Sequence, residues 1–164
     1  IHSLGIMPEK VKQLIGLAID EKTKALNTKG KLPAKPIQKM FPKRCRSAVF
    51  GLEMYRVLRQ SRVTFNKHTD AALDNVGNMR MFQATGVGTC LLTDTGKNIS
   101  DLFEIDSEVV TYSNIEECIE KMEYLLGHED VRYRIATAGQ KRTLKDHTMR
   151  NRCQQIDEII QKRL

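Results

Sequence analysis

Asn75-Val76-Gly77-Asn78-Met79-Arg80-Met81-Phe82-Gln83-Ala84-Thr85-Gly86-Val87-Gly88, followed at once by Thr89-Cys90-Leu91-Leu92-Thr93-Asp94, is the stretch on which the fold turns. Met79, Phe82 and Ala84 mark a helix that Gly86 and Gly88 close. The residues after it form a compact apolar run of strand length, stopped by Gly96. Upstream, Arg62-Val63-Thr64-Phe65-Asn66 reads as a short strand, and Leu52, Tyr55, Val57 and Leu58 as a helix preceded by Gly51. Downstream, a short helix from Ile99 to Phe103 leads to a third strand, Glu108-Val109-Val110-Thr111-Tyr112, with β-branched residues. Strands alternating with helices predict an α/β sandwich around a mainly parallel sheet. Three strands are few for a self-sufficient sheet of this kind.

The remaining elements are helical. Ser113 with Glu116 has capping-box spacing, and Ile115, Cys118, Ile119, Met122, Leu125 and Leu126 form a core stripe that Gly127 ends. A helix from Asp130 to Ala138 is expected to be interrupted by Gly139. A last helix, from Met149 to Leu164, carries Cys153, Ile156, Ile159 and Ile160 as its inner face. At the other end of the chain, Pro8 and the spacing of Val11, Leu14, Ile15, Ala18 and Ile19 predict an amphipathic helix over residues 8–26.

Between Asn27 and Ser47 lie seven basic residues (Lys29, Lys31, Lys35, Lys39, Lys43, Arg44, Arg46) and no acid, which accounts for the whole net charge of +7. Three of the four prolines, Pro33, Pro36 and Pro42, fall here too, so the segment should be an extended connection. It reads as a solvated basic loop, with binding to phosphate, nucleic acid or an anionic surface as the sharper alternative. Phe41 is its one aromatic, which disfavours base stacking and makes nucleic acid an unlikely partner.

The chain has 164 residues, 40% hydrophobic and 29% charged, enough for one domain of ordinary size with a buried core. It has no apolar run near the ~20 residues of a membrane helix. Ile1-His2-Ser3-Leu4-Gly5 has no initiator Met and no signal-peptide pattern, so the sequence reads as an excised piece of a longer protein. Cys45, Cys90, Cys118 and Cys153 match no zinc or disulfide spacing, and reduced thiols in a cytoplasmic protein are expected.

In parallel sheets, ligands sit beyond the carboxyl ends of strands, near helix N-termini. That singles out Asn66 to Arg80 and Asp94 to Asn98. Free N–H groups after Gly77 and Asn78 could meet an anion, with Arg80 adding charge; the plainer reading is an N-cap with a surface Arg. His68 has the chemistry of a general base or a phosphate donor, though a loop histidine is more often without such a role. His147 reads as a surface residue. Glu104, Asp106 and Glu108 alternate with apolar residues but lack further metal ligands.

Three stretches together, Gly51-Leu52-Glu53-Met54-Tyr55, Arg62 to His68 and Gly77 to Gly88, resemble the C-terminal domain of group 1 glycosyltransferases, above all the branch of spore-maturation CgeB-like proteins. Leu91 to Asp94, Asp101-Leu102-Phe103, Glu108 to Tyr112, Ala138-Gly139 and His147-Thr148 continue the likeness, which covers roughly residues 50–164. The resemblance implies a Rossmann-like three-layer α/β/α sandwich, half of a GT-B architecture, with residues 1–49 as a helical and basic lead-in. It implies a nucleotide-sugar donor bound here, no metal or other cofactor, and an acceptor-binding N-terminal domain in the same longer protein. Asn66, His68, Asn78, Met79, Arg80 and Gln83 would line the donor site, with His68 the one catalytic candidate. The family has Glu where this chain has Gln83, and often an acid where it has Asn75. Gln keeps one acceptor and loses the charge, so a different donor or a catalytically silent binding module of the same fold is the alternative. A basic nucleic-acid-binding α/β domain stands as a third reading.

Overall fold

The computed structural model describes residues 36–69 and 74–163. The expected helix over 8–26 lies outside them. The chain divides into two units, Ile1–Ala48 and Val49–Leu164. In the first, the described residues contain one helical turn, α1 (Ile37–Met40). Its carbonyl-side start is Pro36, whose oxygen accepts from Lys39 N at 2.9 Å and Met40 N at 3.2 Å. This corrects the expectation of a wholly extended segment. A proline just ahead of a helical turn lacks only an N–H that the turn does not need, and Pro42 ends the turn by restricting Phe41.

The second unit contains α2 (Gly51–Gln60), β1 (Val63–Asn66), α3 (Met79–Gly86), β2 (Cys90–Asp94), α4 (Ile99–Leu102), β3 (Val110–Tyr112), α5 (Ile115–Gly127), α6 (Glu129–Asp146) and α7 (Met149–Gln161). The strands form one sheet in the order β1-β2-β3, and both ladders are parallel. Val63 pairs with Cys90 and Asn66 with Thr93; Leu92 pairs with Val110 and Asp94 with Tyr112. The predicted third strand is shorter than expected, since Val109 makes only an isolated bridge to Ile105.

Side chains alternate across the central strand, and each face has its own core. Leu91 joins Leu58, Val76, Met81, Ala84, Ile99, Phe103 and Val109 on the side of α2, α3 and α4. Cys90 and Leu92 join Val110, Tyr112, Cys118, Leu125, Ile135 and Ala136 on the side of α5 and α6. A strand covered on both faces is apolar at consecutive positions, which is why Cys90-Leu91-Leu92 stands out in the sequence. The fold is therefore an α/β sheet flanked by helices, of the Rossmann-like kind.

Four local expectations are corrected. α6 runs unbroken through Gly139, because a side chain there would collide with the carbonyl oxygen of Glu108; the glycine permits contact and does not break the helix. The cap of α5 is shifted by one residue. Asn114 accepts from Glu117 N at 2.9 Å, and Glu117 reaches back to Ser113 N at 2.7 Å. Of the α5 stripe, Cys118 and Leu125 are buried and Met122 packs against them, but Ile115, Ile119 and Leu126 are exposed. On α7, Cys153, Ile156, Ile159 and Ile160 are all exposed among the described residues. None of the described helices is long and apolar enough to cross a membrane.

Candidate functional site at the carboxyl edge of the sheet

The carboxyl ends of the three strands carry a connected polar network. Asn66, the last residue of β1, donates from Nδ2 to Thr93 Oγ1 at 3.0 Å and accepts at Oδ1 from Asn78 Nδ2 at 3.1 Å. Its carbonyl accepts from the Tyr112 hydroxyl at 3.1 Å. Asn78 in turn caps α3, accepting at Oδ1 from Met81 N at 3.1 Å. Burial, together with the charges of Asp94 and Cys118, pushes the Tyr112 phenol up to about 12, so it remains a neutral donor.

His68 lies two residues beyond β1 and Asp94 ends β2; the parallel register brings them together. Nδ1 of His68 is 2.7 Å from Asp94 Oδ1, and the backbone N–H of His68 donates to both carboxylate oxygens at 3.0 Å. On the other side of the ring, Nε2 accepts from Gly77 N at 3.0 Å and Asn78 N at 3.3 Å. Asp94 also accepts from Thr93 Oγ1 at 3.2 Å and lies 3.6 Å from Lys67 Nζ. Burial raises the Asp94 pKa, but the hydrogen bonds from the His68 ring and backbone, with the charge of Lys67, outweigh it and hold the carboxyl below its usual value.

This shift has a defined sign. A carboxylate with a lowered folded-state pKa stabilises the fold above its unfolded value of about 3.9, and that contribution is lost as pH falls through the folded value. Asp94→Asn should therefore show a flatter loss of stability below about pH 4 than the parent chain. Urea unfolding followed by circular dichroism across that range checks it, and parallel curves would refute it.

The loop after β2 clamps the loop before α3. Asn98 accepts from Val76 N at 2.7 Å and donates to Val76 O at 2.9 Å, while Lys97 N donates to Asp74 O at 2.9 Å. Between them and the strand ends opens a cleft of about 560 Å³, lined by Lys67, His68, Asp74, Asp94, Lys97 and Tyr112 among others. A neighbouring hollow of about 310 Å³ is bounded by His68, Asn75, Gly77 and Asn78. Its size suits a small organic ligand. The two stretches singled out from the sequence, Asn66 to Arg80 and Asp94 to Asn98, thus meet at one place. Among the described residues, no group of three His, Cys, Asp or Glu side chains is placed to hold a metal ion.

Of the six candidate residues, Asn66, His68 and Asn78 share the network. Met79, Arg80 and Gln83 follow along α3 and line neither hollow. Met79 is 74% exposed, and Arg80 and Gln83 are half-buried. Asp94 and Asn98 bound one of the two stretches singled out from the sequence but were given no individual role there, and Tyr112 was not singled out; Asp94 and Tyr112 each end a strand, the signal that could have found them. His147 is not the surface residue expected. Its ring tilts against Phe82 and Phe103 at 5.1 Å from each, its Nε2 lies 2.8 Å from Leu102 O, and its Nδ1 lies 2.8 Å from Arg152.

A scan against family models matches residues 22–158 to the family described as glycosyl transferase-like. No curated protein matches the chain, and no solved structure does. The family match begins well before Phe50 and runs through the whole sheet, the network at its carboxyl edge and nearly all of α7. With its parallel sheet, and with that match over most of its length, the chain belongs to the glycosyl transferase-like family.

Proposed function

We propose that this chain is the donor-binding domain of a glycosyltransferase of the GT-B, group 1 type, close to the CgeB-like branch, and that it holds a nucleotide-sugar at the carboxyl edge of the sheet. The observation that carries the reading is the cleft of about 560 Å³ beyond the ends of β1, β2 and β3, next to the hollow of about 310 Å³ that Gly77 and Asn78 bound just ahead of α3. Asn78 and Gly77 set the start of that helix, whose N–H groups and positive end favour an anion. Lys67 and Lys97 line the same cleft and suit a diphosphate.

In such a transfer an acceptor oxygen forms a bond to the anomeric carbon as the bond to the diphosphate oxygen breaks. Negative charge then grows on the departing nucleoside diphosphate. The N-terminus of α3 would stabilise that charge, lowering the barrier where it develops, with Arg80 adding positive charge from α3 although it lines neither hollow. No metal is required, and the acceptor is brought by another domain of a longer cytoplasmic protein.

Calorimetric titration with a panel of nucleoside diphosphates and their sugar conjugates tests this. One nucleotide should bind saturably. Arg80→Ala should weaken that binding about threefold to tenfold, and unchanged affinity removes Arg80 from the site. Gln83→Glu should strengthen it about threefold or more by restoring a charged acceptor for ribose hydroxyls. Gln83 also favours a second reading, a silent binding module of the same fold. Equal or weaker affinity in the Glu variant supports that alternative.

A further inference from the structure

We infer that His68 is a positioning residue and not a general base: with Asp94 it fixes the turn that leads into α3, using the lone pair a base would need. The proton assignment follows from the partners. Backbone N–H groups can only donate and an ionised carboxylate can only accept. Nε2 faces two N–H groups, those of Gly77 and Asn78, so it must carry the lone pair. Nδ1 faces Asp94 Oδ1 at 2.7 Å, so it must carry the proton. The side chain is only 7% exposed, which leaves water little access to exchange those roles.

What the ring holds is a turn that needs holding. Gly77 has φ +135°, a conformation that side-chain-bearing residues rarely adopt, and its N–H is one of the two bonded to Nε2. Without His68, two backbone donors next to the helix start would lose their partner. Asp94 fixes His68 at both ends, through the ring and through the backbone N–H. Asn66 meanwhile holds the Asn78 side chain that caps α3. The start of α3 is thus tied to β1 through Asn66 and to β2 through Asp94 and His68. Where the cleft serves sugar transfer, a consequence that rests on the reading above, the acceptor proton must go to a group other than His68.

The experiment uses the full chain labelled with 15N. A long-range imidazole 1H–15N spectrum at neutral pH should show His68, identified by its disappearance in His68→Gln, protonated at Nδ1 and bare at Nε2. A ring protonated at Nε2, or averaging between tautomers, overturns the inference. Gln can place a carbonyl oxygen near the Nε2 position. His68→Gln should therefore keep hydrogen-exchange protection of the Gly77 and Asn78 amides within about threefold, while His68→Ala loses about tenfold or more. Equal protection in both variants also overturns it, and the spectrum decides the matter where His68→Ala fails to fold. If no nucleotide binds the parent, the donor-site reading fails while the tautomer and the amide protection still judge this one.

Discussion

Phe103→Ala should cost about 3–5 kcal/mol of folding stability, against a total of about 5–15 kcal/mol for an ordinary domain. Phe103 follows α4 directly and is 0% exposed. It fills the core on the α3 side of the sheet with Met81, Leu91 and Val109, none of which has any exposure. Its ring centroid lies 5.9 Å from that of Phe82 and 5.1 Å from that of His147. Removing it opens a cavity bounded by strand β2 and helix α3, neither of which can move in without breaking the sheet or the cap at Asn78. Urea unfolding followed by circular dichroism should show a lower midpoint at an unchanged slope. A loss under about 1 kcal/mol would mean that the helices collapse into the space, and that the core is less tightly fixed than its burial implies.

Glycine-to-alanine substitutions at two helical positions should have opposite signs. In a helix interior, alanine gains about 1 kcal/mol over glycine. At Gly127, the last residue of α5, an added methyl group would meet nothing within 4 Å, so Gly127→Ala should be neutral or stabilising by up to about 1 kcal/mol. At Gly139 the same methyl would overlap the carbonyl oxygen of Glu108, a backbone atom, and also touch the side chain of Thr85 at 3.5 Å. Backbone cannot swing aside as a side chain can. Gly139→Ala should therefore lose about 1–3 kcal/mol despite the gain in propensity. Equal midpoints for the two variants would show that α6 and the Glu108 turn slide apart freely.

The contrast between these glycines explains what could be seen in the sequence. Gly139 reads as a helix break on propensity alone, since the residue that requires it, Glu108, lies far off in the chain. The run Cys90-Leu91-Leu92 was legible because a strand covered on both faces leaves an unbroken apolar signature. Ser113 with Glu116 and Asn114 with Glu117 both have capping-box spacing; the end of β3 at Tyr112 decides between them. On α7, the spacing of Ile156, Ile159 and Ile160 was legible as a face, but periodicity does not say what that face meets, and among the described residues it is exposed. At the site, Asn66, His68 and Asn78 could be named from their position after a strand and before a helix. The joining of His68 to Asp94 could not, because it depends on the ladder that pairs Asn66 with Thr93.

The order β1-β2-β3, with both ladders parallel, bears on how the chain reaches this structure. Parallel neighbours cannot be joined by a tight turn, so each ladder closes only after the connection between its strands, with its helix, has crossed the sheet. Among the described residues there is therefore no hairpin from which to start. Helices α5 and α6, separated only by His128, have the shortest path to contact and are expected to dock early. The edge that carries Asn66, His68, Asp94 and Tyr112 needs all three strands in register, so it should assemble last and be the first region to open on partial unfolding.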